Sequence, residues 1–242
     1  MKIGFQPKKL LAIFVLATLA VSLSGCVYLR LLYFKNQLND FERNVTVEAP
    51  PGLSLTFTNP VVRGNDLNFI TKSNPTLVTS IATDPNIERW TWRFEKRLAE
   101  IDHKPYSVDF QTRVESGLLT NMIIDESFVD LIGRDFILKM FRSVGDAKIN
   151  TIRRSVSATM DIDSLGDISR PTLAKILNSM GQPTRTIETK DPESQHVYFE
   201  YEFNFLNPKN QKPAGQFKLI FKADPLHPDT PVTGFNITGK GR

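Results

Sequence analysis

Phe199-Glu200-Tyr201-Glu202-Phe203 places three aromatic rings on alternate residues with acidic side chains between them, the period-two pattern of a strand with one buried face. Trp90-Thr91-Trp92-Arg93-Phe94, 109 residues earlier, has the same pattern. The surroundings repeat too. Leu67 and Ile70, both expected to face inward, with Asn65 or Asp66 as N-cap, predict a short helix that stops at Ser73-Asn74-Pro75-Thr76. Further on, Ser169-Arg170-Pro171-Thr172 opens a helix carrying Leu173, Ile176 and Leu177 on one face, and Met180-Gly181-Gln182-Pro183-Thr184 ends it. The two Pro-Thr pairs are 108 residues apart. After the first aromatic strand the pattern predicts strands at 108–114 and 118–124; after the second, at 217–221 and 232–237.

These elements predict an α+β protein of two tandem two-layer units, each a helix packed on a three-stranded antiparallel sheet, at 64–126 and 168–242. Between them, 127–167 is expected as a helical connector, because Phe128, Leu131, Ile132, Phe136, Met140 and Val144, then Ile149, Ile152 and Val156, keep a helical spacing that breaks near Gly145 or Ile149-Asn150-Thr151. Residues 26–63 hold an amphipathic helix with Leu31, Phe34, Leu38 and Phe41 in its stripe, then Ala49-Pro50-Pro51-Gly52 and a strand at 53–58. Such a stripe suits a membrane or a partner, but ordinary surface helices carry one to pack on their own protein, and that is the expectation here. The six strand rings are expected in the core. Thr91, Arg93 and Glu95, with Glu200, Glu202 and Asn204, then fall on exposed sheet faces, making Arg93, Glu200 and Glu202 the candidate partner-binding residues.

Ahead of all this, Lys2, Lys8 and Lys9 precede an apolar run at 10–23 and then Leu23-Ser24-Gly25-Cys26. The run has the three-part form of a secretory signal and falls short of the ~20 residues of a membrane-spanning helix. Its last four residues resemble the lipobox of bacterial lipoproteins. That resemblance implies a diacylglyceryl group on the Cys26 thiol, cleavage between Gly25 and Cys26, acylation (palmitate or similar) of the new amino group, and removal of 1–25 as a signal peptide. Two or three acyl chains anchor a protein firmly where one does not. In lipoproteins of two-membrane bacteria an aspartate after the cysteine marks inner-membrane retention; Val27 stands there, which by resemblance implies the outer membrane. The periplasmic side is the expected orientation, although no residue of the sequence fixes the side.

Removing 1–25 leaves 27 basic against 26 acidic residues, so the formal charge falls from +4 to +1. With no basic block, the electrostatic footprint of a nucleic-acid binder is missing, and that class is excluded. With the one cysteine committed to lipid, as the lipobox resemblance implies, packing and hydrogen bonding alone are expected to hold the fold.

Candidate chemistry is sparse. His103 beside Asp102, His196, and His227 in Pro225-Leu226-His227-Pro228 have no second histidine or cysteine at metal-ligand spacing, and read as loop histidines. No Gly-x-Ser-x-Gly elbow or phosphate-cradling glycine loop occurs. Asp161, Asp163 and Asp167, with Ser164 and Gly166 between them, lack the correctly spaced glycine and the terminal glutamate of a calcium loop and read as a solvated turn. Neither a metal nor a cofactor is expected.

Residues 169–238, with Ser169-Arg170-Pro171-Thr172, Met180-Gly181-Gln182-Pro183 and Val197-Tyr198-Phe199-Glu200-Tyr201, resemble the small outer-membrane lipoproteins of the SmpA/OmlA (BamE-like) type. The tandem arrangement resembles that of the beta-lactamase inhibitory proteins. In the first unit Lys72-Ser73-Asn74-Pro75 departs from the pattern, lacking the glycine. These resemblances imply fold and location: an outer-membrane lipoprotein, not an enzyme, acting as a protein-binding or scaffolding module in envelope assembly or maintenance. The alternatives are an envelope hydrolase with an unfamiliar site, which requires convergent acid, histidine or serine groups in a cleft, and an inhibitor of a secreted enzyme, which requires a concave aromatic surface across both units and no such cluster.

Overall fold

The computed structural model describes residues 27–48, 52–71, 73–98, 104–145, 148–150, 155–160, 168–188, 196–210 and 212–241. Along the chain come α1 (Val27–Asn39), α2 (Phe41–Asn44), β1 (Val45–Glu48), β2 (Leu53–Phe57), α3 (Gly64–Thr71), β3 (Leu77–Ile81), β4 (Asp84–Lys96), β5 (Ser107–Glu115) and β6 (Leu118–Ile124). Then follow α4 (Glu126–Ile132), α5 (Arg134–Gly145), β7 (Lys148–Asn150), β8 (Ser155–Met160), α6 (Leu173–Met180), β9 (Arg185–Glu188), β10 (Val197–Leu206), β11 (Pro213–Ala223) and β12 (Gly234–Gly241). The α+β class is as expected. The strands form one antiparallel sheet in the order β1-β2-β6-β5-β4-β10-β11-β12-β8-β7, with β3 beside β4 and β9 beside β10.

The expected pair of separate three-stranded units is therefore corrected. Each half contains a hairpin, a helix, a short strand and a three-stranded meander, and the halves join where β4 pairs β10 through Phe205↔Phe94, Asn204↔Glu95 and Phe203↔Lys96. A shift of 109 residues turns Phe94 into Phe203 and Lys96 into Phe205, so it exchanges the first pair with the last, as a local two-fold axis between the strands requires. The physical reason for joining is the edge. Standing alone, β4 and β10 would each leave unpaired N–H and C=O groups along a long aromatic strand, and their pairing covers part of both. The outer hairpins β1–β2 and β7–β8 extend the sheet at its two ends.

The connector also differs. Its helical part stops at Gly145, and Gly133, at φ 95°, divides it into α4 and α5. Residues 155–160 instead form β8 against β12, because Ser155-Val156-Ser157-Ala158-Thr159-Met160 alternates polar and apolar residues. In the second half the N-cap is Thr172 rather than Ser169; the Thr172 hydroxyl accepts from the Lys175 backbone N–H at 3.2 Å. Gly181, at φ 73°, ends α6 as anticipated.

One main hydrophobic core runs through both halves. Leu38, Phe41, Phe128, Leu131, Phe136, Ile176 and Met180 from the helices meet Tyr201, Phe203, Leu219 and Phe221 from the strands, with Phe203 and Phe217 stacked at 4.6 Å. A satellite cluster of Trp92, Phe205 and Ala214 lies at the seam. The stripe of α1 packs on the protein's own body, as expected, whereas Ile70, expected inward, is 37% exposed.

Candidate functional site

Alternation along β4 puts Trp90, Trp92, Phe94 and Lys96 toward the core and Arg89, Thr91, Arg93 and Glu95 on the other face. Arg93 is exposed and forks onto Asp109 of β5, with Nε to Oδ1 at 2.9 Å and Nη2 to Oδ2 at 2.7 Å. Asp109 holds the Arg93 pKa above its ordinary value, chiefly through these hydrogen bonds. Because half of the Arg93 side chain is open to solvent, the pair adds at most about 1 kcal/mol to stability.

Glu200 and Glu202 lie on the same sheet face, yet they are not the exposed residues expected: only 7% and 6% of their surface is open. The Lys218 ammonium reaches Glu200 Oε1 at 2.7 Å and Glu202 Oε2 at 3.7 Å, and Arg97 reaches Glu202 Oε1 at 3.4 Å. Buried carboxylates need such partners, and once paired they have little capacity left for a ligand. The arginines of the face, Arg89, Arg93, Arg97 and Arg113, remain open to solvent.

A concavity of about 420 Å³ lies between the start of α3 and the β5–β6 turn, lined by Arg63, Glu88, Trp90, Ser116 and Gly117. Ser116 and Gly117, at φ 49° and 82°, make the tight hairpin turn, and the Gly117 carbonyl accepts from the Gly64 N–H at 3.1 Å. Gly64 is needed there because a Cβ would sit 2.4 Å from the Trp90 ring. The Trp90 indole N–H donates to Glu88 at 2.8 Å. This wall offers a cation, an acid already engaged and an aromatic face, a set suited to holding a polar group rather than to breaking a bond.

Behind it, Asp66 is buried and bridged by Arg30 of α1 at 2.6 and 2.7 Å, and it also accepts from the Arg63 N–H at 2.8 Å. Burial alone would raise the Asp66 pKa, but these hydrogen bonds and the Arg30 charge outweigh it and hold the carboxyl below its ordinary value. Sequence reasoning named Asp66 only as a cap and missed Arg30, since 36 residues separate them. Among the histidines, His227 Nδ1 lies 2.7 Å from Asp224 in an exposed turn. No cluster of three potential metal ligands occurs among the described residues.

No protein-family model, curated protein or solved structure matches this chain. The signal at 1–25, with Gly25 and Cys26, lies outside the described residues, as do Asp102, His103, Asp161, Asp163 and Asp167. No helix among the described residues is long and apolar enough to cross a membrane.

Proposed function

We propose that this chain is a lipid-anchored protein of the bacterial outer membrane that faces the periplasm and acts, without catalysis of its own, as a binding or scaffolding module for an envelope protein. The observation that carries the reading is the charged face of the sheet. Arg89 and Arg93 lie on β4 and Arg97 just past its end, with Arg113 opposite Arg89 on β5 and Glu95 and Asp109 interspersed. A mosaic of exposed arginine and acid suits a polar protein surface, where arginine is favoured as an anchor. An inhibitor acting through strand aromatics is disfavoured, because Trp92, Phe199, Tyr201 and Phe203 are buried.

The lipobox resemblance at Leu23-Ser24-Gly25-Cys26 supports the anchor, and Val27 after it supports the outer membrane. Acyl chains on Cys26 confine the sheet near its partner and raise its effective concentration. The repeated order of hairpin, helix, short strand and meander supports an internal duplication, with units akin to the SmpA/OmlA type arranged in tandem.

Photo-cross-linking in the full chain tests this. A cross-linker at Arg89 is expected to trap one partner of constant mass, with Cys26→Ala both releasing the chain from membranes and abolishing the adduct. A membrane-bound Cys26→Ala chain would overturn the anchor. Absence of any adduct from Arg89, Arg97 and Arg113 alike would overturn the binding face.

A further inference from the structure

The first helix among the described residues, α1 (Val27–Asn39), follows Cys26 in sequence, and it is apolar on two sides. One side packs inward through Leu31, Phe34 and Leu38. The other shows Tyr28, Leu32 and Tyr33 to solvent at 40%, 50% and 56% exposure. Helical spacing sets these three on a single arc. The large apolar groups of that arc are confined to the first two turns; the exposed positions further along are Asn36 and Asn39. A ring contact of 5.7 Å between Tyr28 and Phe69 sets α3 alongside, and the next residue of α3, Ile70, is 37% exposed.

We propose that Tyr28, Leu32 and Tyr33, with Ile70 of the adjacent α3, form a docking face that lies in the headgroup layer of the phospholipid bilayer. This rests on the anchor reading above. Acyl chains on Cys26 put the start of α1 at the hydrocarbon boundary, and at 1.5 Å per residue Tyr33 stands only about 10 Å further along the helix. The interfacial layer is about 5–8 Å deep per leaflet, so the exposed apolar turns lie within it or at its edge, whether the helix stands or reclines. Tyrosine suits that depth, with an apolar ring and a hydroxyl for the wet side. The switch to asparagine after the second turn marks where the helix leaves the lipid.

The helix is also fixed to the body, through the Arg30–Asp66 fork and its packed stripe. Docking α1 therefore orients the whole sheet relative to the membrane, which a flexible tether would not do. The lipid then sets direction as well as distance.

The test places an environment-sensitive fluorophore on Leu32→Cys, on Tyr33→Cys and on Asp229→Cys, a control in the exposed β11–β12 loop, using full chains matured in cells and reconstituted into phosphatidylethanolamine–phosphatidylglycerol vesicles. Mass spectrometry of each reports acylation of Cys26. The expected result is blue-shifted emission, strongly quenched by dibrominated phospholipid, at positions 32 and 33 but not at 229. Acylated chains whose probes at 32 and 33 stay in water, or are quenched no more than the control, would overturn the docking face and leave the anchor standing. Chains with an unmodified Cys26 would overturn both.

Discussion

The ammonium of Lys96, at the end of β4 in the first half, donates to the carbonyl of Met180, the last residue of α6 in the second half. Lys96 is 5% exposed, and it also lies 3.5 Å from the Gln182 carbonyl. Tyr201 donates its hydroxyl to the Gly181 carbonyl at 2.9 Å, so the three successive carbonyls at and just past this helix end have donors. In the repeat, Lys96 occupies the place that Phe205 holds in the other half; the positive charge suits the negative end of a helix.

Truncating Lys96 to Ala removes that donor and opens a cavity across the seam. Lys96→Ala is expected to cost about 2–3 kcal/mol, read as a lower urea midpoint at unchanged slope. A variant as stable as the parent would show that the seam is held by the strand pairs alone.

Arg30→Ala leaves a buried carboxylate without its cation and is expected to cost about 3–5 kcal/mol at neutral pH. The sign with pH follows from Asp66. Its folded pKa lies below the ordinary 3.8, so the pair contributes fully above that value and loses its contribution as pH falls through the folded pKa. Urea titrations of parent and variant should therefore converge as pH falls through the lowered folded pKa of Asp66. A gap that persists in acid would assign the loss to packing instead.

Gly64→Ala directs a Cβ to within 2.4 Å of the Trp90 ring, and the expected loss is about 1–3 kcal/mol. Trp90→Leu in the same chain vacates the ring and should recover part of it. Thermal melts of the two variants decide the matter: no recovery places the strain in the backbone.

Tyr106→Phe should be neutral or stabilising by up to about 1 kcal/mol. Burial pushes the Tyr106 hydroxyl up to about 12; Ser127 is near enough to pull it back slightly, yet makes no hydrogen bond of ordinary geometry with it. A loss above about 1 kcal/mol on removing that hydroxyl would reveal a partner, such as water, that it cannot spare.

The rings of β4 and β10, the glycine stop of α6 and the 109-residue offset were all legible in the sequence, because period and turn chemistry act between near neighbours. Four residues of β9 and three of β7 were too short for a period to emerge. Residues 155–160 continued the apolar spacing of α5, so their strand pattern was overshadowed. At the candidate site Arg93 was legible as an exposed cation. The burial of Glu200 and Glu202 was not, since Lys218 and Arg97 lie on other parts of the chain.

The α+β class, the aromatic strands, their repetition and the lipobox expectation at Cys26 were each written in a few consecutive or evenly spaced residues. That two units share one sheet, that a lysine of one half caps a helix of the other, and that α1 shows Tyr28, Leu32 and Tyr33 outward came from contacts between distant parts of the chain. Edges find partners, buried charges find counter-charges and helix faces are covered or left open according to what the rest of the chain brings near them.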